Sequence, residues 1–190
     1  MDKTLIRAAQ DGLAIVDVVL RSSRCELVDG FDPRYSRTGL DVQVMQRVAS
    51  SQVLEIEAPD QPPRRLFRVF VSVGIRWVSP VVATGKRKKK AGAAEPAPEV
   101  RATIEATFAA DYRMKGEVDK TALDEFALYN APFNVWPFWR EYVSTQGNRM
   151  GLPRTVMPLQ CLSAMKAASS ADVETTAPLP RRRSRTPSHQ

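Results

Sequence analysis

Bond-making chemistry needs a nucleophile, a base or a set of metal ligands held close together, and this chain supplies few of them. Its one histidine, His189, is the penultimate residue, so a Cys-His or Ser-His pair and a histidine metal site are missing from the body of the sequence. Cys25 and Cys161 lack CxxC spacing, and there is neither a Gly-Lys-Ser phosphate loop nor a GxGxxG turn. Glu55 and Glu57 sit on the polar side of an alternating segment, where paired carboxylates are ordinary solvated charge. The sequence therefore argues against an enzyme, a bound metal and a cofactor. What is concentrated instead is apolar surface. Phe133 to Pro153 holds two of the three tryptophans, Trp136 and Trp139, with Phe133, Phe138 and Tyr142 beside them.

That stretch needs a scaffold, and its own residues suggest one. Pro137 has fixed φ and no N–H, which suits the first turn of a helix. A helix starting near Trp136 would place Phe138, Trp139, Tyr142 and Val143 on one broad face. It should fray near Gly147 and end by Gly151, and Leu152-Pro153 favours an extended exit over residues 155–159. A shorter helix is expected over 119–130, capped by Asp119 or Thr121, with Leu123, Phe126 and Ala127 inward and Pro132 ending it.

The first two thirds of the chain alternates instead. Val16, Val18 and Leu20 share one face, then the apolar phase moves to Cys25 and Leu27, which predicts a bulge near Arg21–Ser23. Residues 28–38 read as a loop. Leu40, Val42, Val44, Val48, Leu54 and Ile56 hold even positions of a second segment, either two short strands or one bent strand. Phe67 to Trp77 runs at strict period two on odd positions, and Val100 to Tyr112 does so on even ones. These two rows supply about a dozen inward side chains, at roughly 1.5–3 kcal/mol for each large one fully buried. Residues 2–11 suggest one or two helical turns. The expected architecture is α+β: a four-stranded antiparallel sheet packed with two C-terminal helices.

At 190 residues, one domain over 1–162 is expected, with a flexible hairpin insertion at 80–98 and a disordered tail at 163–190. Charge supports that division. The net +7 comes entirely from the insertion, with Lys86 to Lys90, and from the tail, with Lys166 and the arginines at 181–183 and 185. The rest carries eighteen basic and eighteen acidic residues and is formally neutral. The cysteine usage fits a reducing cytoplasm, and neither a signal peptide nor a run of about 18 apolar residues is visible.

Trp136, Pro137, Phe138, Trp139, Arg140 and Glu141, followed by Arg149 and Leu152-Pro153 after four alternating segments and a short helix, resemble the SecB export chaperone family. The strong match covers about residues 117–160, while the strands agree in number, order and length. The resemblance implies a homotetramer that holds unfolded polypeptides in apolar grooves without hydrolysing ATP. Family members are typically acidic and meet the translocase motor through acidic residues on the sheet face, whereas this chain carries two basic runs. SecB-like relatives that guard an antitoxin fit it at least as well. A nucleic-acid-associated protein using Lys86–Lys90 and Arg181–Arg185 is the competing reading, although neither run is interleaved with the aromatics that stack on bases.

On the holdase reading, Val16, Val18, Val42, Val44 and Leu54 are candidates for groove floor. Phe126, Tyr129, Phe133, Trp136 and Trp139 are candidates for client contact, and Leu123, Arg140, Glu141 and Tyr142 for a subunit interface. Core packing competes for every one of the apolar positions, since large aromatics are usually buried.

Overall fold

A computed structural model describes residues 1–36, 39–58, 61–80 and 98–158; the basic insertion beyond Pro80 and the C-terminal tail lie outside the described residues. The order is α1 (Lys3–Gly12), β1 (Leu13–Leu27), β2 (Asp41–Ala58), β3 (Gln61–Ser79), β4 (Glu99–Met114), α2 (Lys120–Tyr129) and α3 (Ala131–Arg149). The four strands form one antiparallel sheet in the order β1-β4-β3-β2. The architecture is α+β, as the alternation implies. β1 and β2 lie at opposite edges of this sheet and do not pair.

The central pair makes the core. Phe67, Val69, Val71, Val73, Ile75 and Trp77 of β3 stand opposite Tyr112, Ala110, Phe108, Ala106, Ile104 and Ala102 of β4, and all twelve are buried. Cross-strand partners share a face, so this row defines the side of the sheet on which the helices pack. Edge-on rings add shape: Tyr112 meets Phe126 of α2 with centroids 4.8 Å apart at 90°, and Phe67 meets the same ring at 6.5 Å.

Register shifts reorganise both edge strands. In β1 the ladder slips at Val16 and at Arg21, the second within the stretch where the apolar phase changes. In β2 it slips at Ala49. Before that bulge Val42, Val44 and Val48 oppose Trp77, Ile75 and Val71 on the helix side; after it Ser51 and Val53 take that side, opposite Val69 and Phe67. Leu54 opposes Leu66 on the other face, so the even-position stripe is broken and Leu54 does not lie beside Val42 and Val44. The segment is one irregular strand, not two.

The helix layer departs from expectation in three ways. α1 is a full helix, capped by the Asp2 carboxylate on the Thr4 and Leu5 amides at 2.9 and 3.3 Å, and it buries Ile6 and Ala9 while packing on α2. Gly12 ends it where a Cβ would lie 2.5 Å from Val118, so the close approach requires glycine. Secondly, α3 begins at Ala131, with Pro132 in the first turn and Pro137 inside the helix. Pro132, not Pro137, takes the initiating role, and Asn130 keeps helical dihedrals between α2 and α3, so the two form one bent unit. Pro137 leaves the Phe133 carbonyl without its helical donor, on a side where both residues are exposed to solvent. Thirdly, the inward face of α3 is Val135, Trp136, Trp139, Val143 and Gly147, while Phe138 points outward. The chain turns at Gly151, whose φ of 69° is costly for any other residue.

On the far face of the sheet Arg68 donates Nε and Nη2 to the two carboxylate oxygens of Asp111, both at 2.6 Å. This fork fixes β3 against β4 on the side that no described helix covers.

Trp139 is fully buried and stacks on Tyr142. Trp139→Ala is expected to lower unfolding free energy by about 3–5 kcal/mol, read from denaturant midpoints. Burial pushes the Tyr112 phenol up to about 12, against a hydrogen bond from Asn134 Nδ2 at 3.0 Å that acts in the opposite direction. The folded chain thus keeps a proton that the unfolded chain releases near its ordinary value of 10.0. That stability is complete below pH 10 and is lost as pH rises towards 12. Midpoints measured across this window should fall more steeply for the native sequence than for Tyr112→Phe.

Candidate functional site

A helix is about 10 Å across and strands are about 4.8 Å apart, so one helix roofs about two strands. α3 lies mainly over β3 and β4, and the outer strands are only partly covered, which leaves several of their helix-side apolar side chains exposed. Both are also edge strands, with one side of the backbone unpaired within the sheet.

The flank on β2 is the better formed. Val42, Val44 and Val53 are exposed there, Val44 by 60%, while Leu40 and Val48 are half-buried against the core. Its inner wall is the chain leaving α3. Residues 152–158 run back along the helix, held by three side-chain donors. Trp77 Nε1 donates to Thr155 Oγ1 at 3.1 Å, Arg140 Nε to the Met157 carbonyl at 3.1 Å, and Trp136 Nε1 to the Pro158 carbonyl at 2.8 Å. Leu152 and Met157 are buried beneath this strap, whereas Val156 projects with 76% of its surface open. Helical spacing puts Trp136, Arg140 and Gly147 on one flank of α3 and Tyr142 on the opposite one. Since Tyr142 reaches β1, the strap lies towards β2.

The flank on β1 is more open. Ile15, Leu20, Cys25 and Leu27 oppose buried residues of β4 on the helix side yet remain exposed. Tyr142 overhangs this row, its hydroxyl 3.7 Å from Cys25 Sγ and its ring edge-on to Phe108 at 6.3 Å. Burial holds its phenol above the ordinary range. An open hollow of about 600 Å³ continues past the end of the row, lined by residues 25–29, Val100, Ala102 and Thr103. Leu128 of α2 and Phe133 and Phe138 of α3 are exposed as well.

The candidate residues separate accordingly. Val42 and Val44 stand together on the β2 flank, and Val16 is an exposed bulge residue on β1. Val18 faces the helices but is buried, and Leu54 is half-buried on the opposite side of the sheet. Phe126, Trp136 and Trp139 do not offer surface: each is buried, because α2 and α3 turn them onto the β3–β4 row and the strap closes over Trp136. Leu123 is buried against the same core. Phe133 is exposed and Tyr129 half-buried. Arg140 is engaged by the strap carbonyl, Glu141 accepts from Thr145 at 2.6 Å on the same helix, and Tyr142 sits over β1.

Sequence reasoning missed Val53, which the Ala49 bulge brings to the helix side, and the strap residues Thr155 and Met157. An apolar-proline pair recurs at Met157-Pro158 after Leu152-Pro153, which was the available sign of a second anchored point. Among the described residues no group of three or more His, Cys, Asp or Glu is placed to hold a metal ion. No described helix is long and apolar enough to cross a membrane.

The strap makes one expectation measurable. Trp136→Phe removes the donor to Pro158 while keeping an aromatic ring, so it should cost about 0.5–1.5 kcal/mol and speed proteolysis at Arg154. Equal cleavage rates in variant and native chain would show that the strap does not depend on this bond.

No family model matches the sequence, and no curated protein matches it. Among solved structures, a SecB-like chaperone of Mycobacterium tuberculosis, in complex with a ChAD peptide from the HigA1 antitoxin, superposes with a TM-score of 0.58. The match covers 84% of this chain and 98% of that one at 17% identity. With its edge-to-edge strand order, bent helical pair and strap, this chain has the fold of a SecB-like chaperone.

Proposed function

We propose that the protein is an ATP-independent holdase that binds unfolded or aggregation-prone polypeptides on the apolar flanks of its sheet. The observation that carries this reading is the coincidence of exposed valines with an edge strand. Val42 and Val44 offer apolar contact beside a strand edge whose outward backbone groups can pair with an extended segment. Affinity then comes from main-chain bonds and non-directional burial, which suits clients without a common sequence. The similar chaperone of known structure holds an antitoxin peptide, which supports a client of that kind. The proposal includes a cytoplasmic homotetramer, so that several weak sites act together on one client.

Antitoxin protection accounts for the charge better than export does. The open sheet face combines Arg47, Arg68, Arg76 and Arg113 with Asp17, Asp41 and Glu105, which is a mixed field and not an acidic docking surface. The second reading, a nucleic-acid-associated protein, rests on Lys86–Lys90 and the arginines at 181–183 and 185, which lie outside the described residues.

Aggregation of a denatured test protein, followed by light scattering, separates these readings. The double variant Val42→Asp, Val44→Asp should lose most of the suppression, by about tenfold in the concentration required. Deletion of residues 85–91 and 181–185 should leave suppression unchanged; if it abolishes both suppression and a steep salt-dependent binding to DNA, the nucleic-acid reading replaces this one.

A further inference from the structure

The open edge of β2 carries more than its valines. From Asp41 to Val48 the strand pairs with β3 without a slip, so its side chains alternate between two faces. Val42, Val44 and Val48 stand on the helix side with Gln46 among them, and Asp41, Gln43, Met45 and Arg47 stand on the other. In that second row Gln43 accepts from Arg76 Nε at 2.6 Å, but neither Asp41 nor Arg47 has a side-chain hydrogen bond or ion pair among the described residues. Val78, opposite Asp41, is apolar, and Ser72, opposite Arg47, is committed to Thr107 at 3.2 Å. Both charges are exposed, six residues or about 20 Å apart along the strand. The edge therefore has a polarity, acidic at one end and basic at the other. It also has an end. At Ala49 the ladder slips and the helix side passes to Ser51 and Val53. A strand in register with residues 41–48 would present the wrong face beyond that bulge.

We propose that this edge takes an eight-residue amphipathic client strand in antiparallel register, with an acid opposite Arg47 and a base opposite Asp41. Antiparallel pairing continues the sheet as built and is the more stable per residue. Residues directly opposite one another share a face. From the client's N-terminus, apolar side chains then stand at the first, fifth and seventh positions, opposite Val48, Val44 and Val42, with the acid second and the base eighth. That alternation belongs to a half-buried strand parted from its own sheet. The inference rests on the holdase reading and narrows the client class at this edge.

The probes are fluorescein-labelled Val-Glu-Thr-Thr-Val-Thr-Val-Lys and its charge-exchanged counterpart Val-Lys-Thr-Thr-Val-Thr-Val-Glu, titrated with the full chain and read by anisotropy. The first should bind about fivefold more tightly at low salt, and the difference should close at about 1 M salt. The double variant Asp41→Arg, Arg47→Glu should reverse the order of the two peptides, which a merely structural role for these side chains would not do. With the first peptide bound, amides over residues 41–48 should exchange about tenfold more slowly. Equal affinities, or no binding of either peptide, with aggregation still suppressed, overturn the proposal and leave the holdase reading standing. Preference for the charge-exchanged peptide overturns the antiparallel register, and binding without slowed exchange overturns pairing at the edge. Loss of peptide binding and suppression alike removes the holdase reading and this proposal together. Exchange that is slow without peptide and quickens on dilution would place a second copy on the edge and overturn the proposal.

Discussion

The structure depends on one ladder, the pairing of β3 with β4. Twelve side chains alternate inward from these two strands and are buried beneath α3 and α2. Shifting either strand by one residue would turn its whole row to the opposite face, so the register is held by the sum of those burials. The Arg68–Asp111 fork marks the same register from the other side, where it joins residues directly opposite in the ladder. Everything else is attached to this pair. α3 has its place because Trp139 and Val143 must sit on it, and the strap has its place because Trp77 and Trp136 present donors along its edge.

The outer strands obey a different constraint. They complete the sheet's hydrogen bonding but lie at the margin of the helix layer, so most of their helix-side residues gain only partial burial, Val18 being an exception. Natural proteins usually blunt such edges with bulges, charges or covering segments. Here the bulges at Val16, Arg21 and Ala49 interrupt regular pairing, yet valine and isoleucine remain where polar residues would be safer. The proposed holdase reading rests on these apolar edges being kept despite that risk.

Much of this was legible in the residues, and the remainder was hidden for physical reasons. Phe67 to Trp77 and Val100 to Tyr112 alternate without interruption because both strands are central and one face of each is fully covered. Leu54 was misplaced because a bulge leaves no compositional mark when Ala49 is the extra residue and valines occur on both sides of it. The start of α3 was misread because two prolines competed for the initiating role, and only packing shows that Pro132 holds it. The fate of the aromatics was not local information at all: Trp136 and Phe138 have similar apolar character and neighbouring positions, but the strap covers one and solvent meets the other. Strand order was invisible for the same reason, since period-two patterns say which face is buried and nothing about which neighbour lies alongside.

That strand order has a consequence for the protein's own synthesis. β2 and β3 can join as soon as both have left the ribosome, but β1 is made first and its only partner in the sheet is β4, some seventy residues further along. Until Met114 has emerged, the leading strand is an orphan carrying Ile15, Val16, Val18, Val19 and Leu20 into a crowded solution. Contacts this distant in sequence form slowly because a long loop must close first. Each nascent copy therefore passes through a stage in which it displays the kind of segment that the proposed holdase would shelter.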